Sequence, residues 1–471
     1  MKNNEAVKYE VIKNGMTEKG NIPSIGVIAD DVTGAMTTGV LLARSKAKTA
    51  VFFNGEGDLK VSGFDAVMVS TGSRAMNPAD AYKTVRKVMS GLKNQGIEYF
   101  SKRIDTTMRG CIGTEIDAML DVLGEDAVAV IVPSMPQSRR ILVGGFSVID
   151  GKALSETAVA QDVRTPVRES FVPGIISEQG RRKVGQVLLN RIQRGTDEAV
   201  RAFREARNTD VRLIVADAVT LEHIHIIAEA VWQLGWKVLS VDPGPFTQIL
   251  NLKRGLIREE TDNLPPLIPE EEGKTALVIA GSATSVTERQ IRVLCEKDRH
   301  YRIGVDPVSL AEGGERAEKE IAHSINRAVE LLENQSPRAI VIETALHGIR
   351  LDLMESDLLH HYIEGTSSRF LNTGMGRIAE GIVNRFGQKR IAGIYATGGD
   401  TLEAVCRQLG ILYLEMVDYV IPQADIGRGL IGEKWKIPII GKGGMTGSDD
   451  TAVDIISRLF QENGRQAIDT K

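Results

Sequence analysis

Cysteine is scarce: the 471 residues contain only Cys111, Cys295 and Cys406. Odd in number and far apart, they supply neither a disulfide framework nor a CxxC metal site. A reducing cytoplasm is the compartment this usage fits. No apolar run reaches the ~18–20 residues needed to span a bilayer. The stretch Met1 to Gly20 is polar and charged without an apolar centre, so it reads as an extension and not as a signal peptide. Long basic runs are missing too, and the net charge is −4, which excludes a large nucleic-acid footprint. No fixed repeat, low-complexity tract or Walker A sequence occurs. The expected partners are therefore small molecules, with no nucleic acid and no membrane, and a homodimer is compatible with all of this.

What is present is an ordinary globular balance, 42% hydrophobic and 25% charged residues, together with 47 glycines. Short apolar runs alternate with helical patterns along the chain, the signature of an α/β fold. Expected strands include Ile25–Ala29, Thr49–Phe53, Ala66–Ser70, Ala127–Val132, Leu213–Val215 and Val238–Val241. A second series includes Ala276–Ala280, Ala339–Ile342, Ile391–Ala396, Tyr419–Ile421 and Ile437–Ile440. Between the series, residues 262–274 hold three prolines and a run of glutamates, as linkers do. The length exceeds one ordinary core. We expect an extension over 1–23, one domain over 24–262, a linker over 263–273 and a second domain over 274–471. Each domain carries a mainly parallel sheet, with a ligand cleft between them.

The first series opens on its most telling feature. The run Ile25–Ala29 stops at two carboxylates, Asp30 and Asp31, followed by Thr33-Gly34 and a helical pattern. Open α/β sheets place ligands at the carboxyl ends of their strands. Carboxylates there can bind sugar hydroxyls, take a proton or hold a cation; one aspartate would suffice as a helix cap. Arg74, in the loop after Ala66–Ser70, could clamp a carboxylate. Lys102, Arg103 and Arg109 cluster with Asp105 ahead of a helical pattern running from Ile112 to Leu123, a suitable place for an anionic substrate. Cys111 beside them has no nearby histidine to activate it and reads as a packed residue.

Three glycine-containing loops in the second series sit between strand and helix. Gly281, Ser282 and Thr284 precede a helix marked by the Ser285–Glu288 capping-box spacing. Gly398 and Gly399 allow close backbone approach to a ligand, and Asp400 with Glu403 repeats the cap spacing. Lys442 lies among Gly441, Gly443 and Gly444, where it could reach a phosphate. Too few residues follow that loop for a second strand with a ribose-binding acid, which argues against a nicotinamide site. His347, His360 and His361 lack a partner at metal-ligand spacing and read as structural or exposed.

Taken in order, Ile28–Ala35 (IADDVTGA), Lys102–Gly110 (KRIDTTMRG), Gly398–Thr401 (GGDT) and Lys442–Gly447 (KGGMTG) resemble the four-carbon acid sugar kinase family. The resemblance runs from about residue 24 to the end. It implies an N-terminal domain that binds the acid sugar and a C-terminal domain that binds ATP. The implied reaction is phosphorylation of threonate, erythronate or 3-oxo-tetronate at O4. By motif match, Asp31, Arg74, Lys102, Arg103 and Asp105 would contact substrate. Ser282, the Gly398–Thr401 loop, Gly443 and Gly444 would hold ATP. The family's Asp-Ser-Thr-Leu-Arg-Gly appears here with Thr106 in place of Ser, which keeps the hydroxyl. The Asp400 form of the glycine loop points to the threonate and erythronate kinases.

On this reading D-threonate is the expected substrate, with D-erythronate and 3-oxo-tetronate as alternatives. Arg74, Lys102 and Arg103 would fix the substrate carboxylate. Asp31 first, and Asp105 second, would accept the proton of the attacking hydroxyl. Loop N–H groups, Lys442 and Mg²⁺ would neutralise the transferring phosphoryl. No protein cage for Mg²⁺ is visible, as expected when phosphates supply most of its ligands. A sugar-acid dehydrogenase is disfavoured by the glycine spacing. A sugar-acid sensor is the alternative of another class; it would bind ligand without releasing ADP.

Overall fold

Runs such as Ile25–Ala29, Ala66–Ser70 and Val128–Ile131 bury every residue, as parallel strands covered on both faces must. The computed structural model describes residues 22–53, 55, 59–162, 165–207, 210–259, 273–346 and 350–469. The first half contributes β1 (Ile25–Ala29), β2 (Thr49–Phe52), β3 (Ala66–Ser70), β4 (Tyr99–Arg103), β5 (Val128–Ile131), β6 (Arg140–Val143), β7 (Phe146–Ile149), β8 (Lys152–Ala153), β9 (Val184–Val187), β10 (Leu213–Ala216) and β11 (Val238–Asp242). The second contributes β12 (Thr275–Ala280), β13 (His300–Gly304), β14 (Ala339–Glu343), β15 (Ile391–Thr397), β16 (Tyr413–Ile421), β17 (Ala424–Ile431) and β18 (Trp435–Lys442).

The expected α/β class holds, but the two series do not form separate sheets. They make one sheet of 15 strands in the order β13-β14-β12-β15-β18-β17-β16-β2-β3-β1-β4-β11-β5-β10-β9. The halves meet where β16 runs antiparallel to β2, pairing Tyr413 with Phe52 and Glu415 with Ala50. Strands β6 to β8 form a small separate antiparallel sheet. Strand β4 was not among the expected strands, because its sequence ends in Ser101, Lys102 and Arg103 where an apolar run should continue. The expected linker lies outside the described residues except for Gly273, as does the extension up to residue 21 and His347. Among the described residues no helix is long and apolar enough to cross a membrane.

Helix Val32–Arg44 lies along the seam. Its Thr37 Oγ1 donates to Asp425 Oδ2 on β17 at 2.9 Å, and Arg44 Nη1 donates to Asp418 Oδ1 on β16 at 2.8 Å. Gly39 lets the helix seat deeply: a Cβ there would come within 2.8 Å of Met68 and 2.9 Å of Met416, one from each half. The helix that begins beside Asp31 is thus held by both halves at once.

Asp425 is buried at this seam. Burial is the largest influence on its carboxyl and pushes it up to about 7, against weaker opposing pulls from Thr37 and Arg103. An acid raised in the folded state provides stability that is complete below its ordinary value and is lost as pH rises through the raised one. Asp425→Asn keeps an acceptor for Thr37 and cannot ionise. Its stability advantage over the parent should widen by on the order of 2 kcal/mol between about pH 5 and pH 8. Thermal denaturation across that range checks this; a difference independent of pH would refute it.

Candidate active site

At the carboxyl end of β1 the buried apolar run gives way to Asp30 and Asp31. Asp31 caps helix Val32–Arg44, its Oδ1 accepting from Gly34 N at 2.9 Å. Asp30 is buried and gripped by Arg74, whose Nε donates to Oδ2 at 2.8 Å and Nη2 to Oδ1 at 3.0 Å. Arg74 stands on the short helical turn Ser73–Ala75 after β3, and its Nη2 also lies 2.8 Å from Asp31 Oδ1. Arg103, at the end of β4, donates from Nη1 to the same Asp31 oxygen at 3.1 Å and lies 3.7 Å from Asp30. Burial alone would raise the Asp30 carboxyl, but Arg74, Lys102 and Arg103 together hold it below the usual carboxylate range. Burial likewise works against the charge of Arg74, yet Asp30, Asp31 and Asp105 keep it firmly protonated.

Gly34 is required by this arrangement. A Cβ there would fall 1.8 Å from Arg103 Nη1 and 2.1 Å from its Cζ, so the guanidinium lies flat against the glycine.

The cationic cluster divides. Lys102 is 1% exposed, with Nζ 2.6 Å from Glu115 Oε2, and Arg103 is 6% exposed under the helix. Neither lines the cleft; both stand behind the two aspartates. Asp105 is also buried, accepting from Arg109 Nε at 2.6 Å and Thr107 Oγ1 at 2.5 Å. Burial opposes its charge, but Arg74 and Arg109 hold its carboxyl far below the ordinary value. Arg109 does face the cleft and donates from Nη1 to Asp162 Oδ2 at 3.3 Å.

On the other side, the helix after β12 starts one residue earlier than the Ser285–Glu288 spacing suggests: Thr284 is the cap, accepting from Thr287 N at 3.3 Å. Ser282 precedes it and lines the cleft. Helix Gly399–Gln408 follows β15, capped by Gly398 at φ 94° with no side-chain partner for its first N–H groups. Asp400 therefore lies in the first turn and not at the cap, and the amide end is open to an anion. Gly281 lets the two loops touch: a Cβ there would be 1.9 Å from Thr401 Oγ1, which donates to Asn372 Oδ1 at 2.8 Å.

Lys442 turns away from this surface. It is buried and donates to Gly443 O at 2.7 Å and Thr446 O at 3.2 Å, and burial lowers its ammonium to about 8. Gly443 and Gly444 do not line the cleft either. The Gly444 carbonyl accepts from Thr284 Oγ1 at 2.6 Å and Thr287 Oγ1 at 3.2 Å, so this loop buttresses Ser282 from behind.

Between the two sides lies a cleft of about 530 Å³. Asp30, Asp31, Arg74 and Arg109 line one wall; Ser282 and Gly398 to Thr401 line the other. The walls are close: a Cβ on Gly399 would be 3.1 Å from Thr33 Oγ1, two residues past Asp31. The cleft also takes in Asp162, Thr165, Arg350, Asn372 and Glu403. Apart from Glu403, whose cap spacing with Asp400 was visible in the sequence, none of these carries a local sequence signal beyond being polar in a loop or helix. His360 lies 3.8 Å from Glu312 and packs on Tyr362, away from the cleft.

A family model described as a sugar-binding N-terminal domain matches residues 25–250, and one described as a nucleotide-binding C-terminal domain matches residues 277–452. The D-erythronate kinase of Heliobacterium modesticaldum is 34% identical over 445 residues, covering 93% of this chain and 97% of the relative. The D-threonate kinase of Salmonella typhimurium is 29% identical over 432 residues, covering 91% and 97%. The 3-oxo-tetronate kinase of Burkholderia multivorans is 25% identical over 412 residues, covering 86% and 91%. A crystal structure of a Haemophilus influenzae protein shares the fold, with TM-score 0.68, 23% identity, and coverage of 94% of this chain and 99% of the other. The chain belongs to the four-carbon acid sugar kinase family, and it is a phosphotransferase with an alcohol group as acceptor.

Because Gly34 seats Arg103 against Asp31, Gly34→Ala should lower kcat/KM for the sugar acid on the order of 100-fold, the usual result of misplacing reacting groups by about 1 Å. Nucleotide affinity should stay near that of the parent. Steady-state kinetics with calorimetric nucleotide titration checks the split; equal losses on both sides would contradict it.

Proposed function

We propose that this protein transfers the γ-phosphoryl group of ATP to O4 of a four-carbon sugar acid, with D-erythronate first and D-threonate second among the substrates. The observation that carries this reading is the single cleft in which Asp31, Arg74 and Arg109 face the open amide end of helix Gly399–Gln408. The sequence resemblance makes D-threonate the expected substrate, with the glycine loop pointing to threonate and erythronate kinases alike. The 34% relative is a D-erythronate kinase and the 29% relative a D-threonate kinase, which supports the reversed order.

Arg109, partly exposed beside Asp162, is the cation best placed for the substrate carboxylate, helped by Arg74. Lys102 and Arg103 add positive potential from behind and need not touch the substrate. The contacts of Asp31 with Gly34, Arg74 and Arg103 fall on Oδ1, which leaves Oδ2 to orient a hydroxyl and take its proton. Asp105 is buried and occupied by Thr107 and Arg109, which favours Asp31 for that role. Phosphoryl transfer asks mainly for alignment and charge neutralisation. Amides from Gly399 onward and the Ser282 hydroxyl would hold the phosphates.

Mg²⁺ fits the same wall. Asp400 and Glu403 both line the cleft; Glu403 accepts from Arg407 Nη2 at 2.6 Å, which leaves Asp400 as the carboxylate on that wall for a cation. A hard cation takes oxygen donors. Asp400 would hold the ion. Among the described residues no group of three or more His, Cys, Asp or Glu could cage a metal, so phosphates and water would supply its remaining ligands. When bound, Mg²⁺ would neutralise charge on the transferring group.

An ADP-release assay across D-erythronate, D-threonate, L-threonate and 3-oxo-tetronate tests the reading, with phosphorus NMR locating the new ester. Turnover with at least one of them and phosphate on O4 is the expected result; ADP release with none would overturn it. Asp31→Asn should keep ATP binding and lose about 100-fold or more in kcat. Near-normal turnover in that variant would remove Asp31 as proton acceptor.

A further inference from the structure

Behind the sugar-acid wall, four oxygens stand in a row. Thr71 Oγ1 lies 2.9 Å from the Ala29 carbonyl, Ser73 Oγ lies 2.7 Å from Thr71 Oγ1, and Glu115 Oε1 lies 2.9 Å from Ser73 Oγ. All three side chains are buried. Three contacts of hydrogen-bond length need three protons, one in each gap. A hydroxyl donates once, and a carbonyl oxygen only accepts. With Thr71 donating to Ala29, which also accepts from the Thr71 amide at 2.9 Å, and Ser73 donating to Thr71, both hydroxyl protons are used; Ser73 donating to an ionised Glu115 is the competing arrangement. The third gap closes when Glu115 carries a proton and donates to Ser73. An ionised Glu115 would leave one oxygen pair facing each other with nothing between them.

The surroundings agree. Burial is the largest influence on the Glu115 carboxyl and raises it; Asp30 adds to the rise, while Lys102 and the Ser73 hydroxyl oppose it. The Cys111 thiol, four residues earlier, is raised by burial above all and adds no charge. Lys102 Nζ lies 2.6 Å from Glu115 Oε2 without meeting that oxygen in hydrogen-bond geometry, and it donates to Arg103 O at 3.1 Å.

We propose that Glu115 is a positioning residue for the sugar-acid subsite: as a neutral carboxylic acid it anchors, through Ser73, the turn that presents Arg74. A second consequence follows from its neutrality. The charge of buried Lys102 is not cancelled by Glu115, so it acts on Asp30 and on an anion bound in the cleft. The kinetic consequences rest on the kinase reading; the protonation state does not.

Three variants test this. In Glu115→Gln a carboxamide donates as the protonated acid does and carries no charge. Its kcat/KM for the sugar acid should fall by no more than about threefold. Glu115→Leu and Ser73→Ala break the row, and each should raise KM for the sugar acid by about tenfold or more with KM for ATP little changed. Infrared difference spectra of the parent against Glu115→Gln, at about pH 7 without ligands, should show the carbonyl stretch of a protonated carboxylic acid. Absence of that band, or a Glu115→Gln enzyme as impaired as Glu115→Leu, would overturn the proposal and make Glu115 the ionised partner of Lys102. Equal loss of both substrates in Ser73→Ala would mark the row as merely structural. Should Glu115→Leu fail to fold, Ser73→Ala and the spectra still decide. If no four-carbon acid is phosphorylated, the kinase reading fails while the infrared band continues to report on Glu115.

Discussion

The grip of Arg74 on Asp30 is the contact on which the aspartate-bearing wall of the cleft depends. Both groups are largely withdrawn from water, and a buried ion pair repays its desolvation only when geometry and further hydrogen bonds are good. Here the fork is bidentate, the same guanidinium reaches Asp31, and Arg103 completes the ring. Removing one member would leave a buried charge uncompensated, which is why the elements bearing them must stay in register. Those elements are the carboxyl ends of β1 and β4 and the turn after β3, and β1 is hydrogen-bonded to both β3 and β4. The ladder sets the spacing, and the charges use it.

That constraint meets the opposite, glycine-loop wall through one helix. Val32–Arg44 begins at the Asp31 cap, packs on both halves of the sheet and places Thr33 against Gly399. Separate domains joined by a linker would leave the relation of the two walls to hinge motion. A ladder continuous through β16 and β2, with Arg44 and Thr37 paired across it, fixes that relation along the seam. Asp162, Thr165 and Arg350 border the cleft from outside the main sheet.

Much of this was legible in the sequence where local rules and the fold agree. An apolar run ending in Asp30-Asp31 announces a buried strand delivering acids to its carboxyl end, and it does so. Glycine loops between strand and helix announce amide ends, and Gly398–Thr401 supplies one. Legibility failed where a residue's state depends on a distant partner. Strand β4 ends in Lys102 and Arg103, which look solvated until Glu115 and the aspartates are brought to them. Lys442 among glycines looks like a phosphate ligand, yet its ammonium closes its own loop onto two carbonyls. The capping box slipped by one residue because Thr284 and Ser285 offer the same chemistry and only tertiary contacts with Gly444 choose between them. Asp162 and Asn372 gave no signal, since a polar residue in a loop or on a helix is the common case.

Choice among four-carbon acids belongs to that last category. Erythronate and threonate differ in one stereocentre, so discrimination rests on whether a single hydroxyl meets an acceptor or an apolar atom. A site built to hydrogen-bond one hydroxyl rejects its absence far more strongly than an apolar pocket rejects an added group. In the proposed reading, the wall formed by Asp31, Arg74 and Arg109 would meet charge and the reacting end, features shared by all four-carbon acids. The rim beside it is built otherwise: Asp162 and Thr165 follow the small β6–β8 sheet, and Asp162 accepts from Thr165 N at 2.9 Å while also holding Arg109. A hydroxyl acceptor placed there can change without disturbing the buried ion pairs of the main sheet, and identities of 25–34% with relatives named for three substrates leave room for such changes.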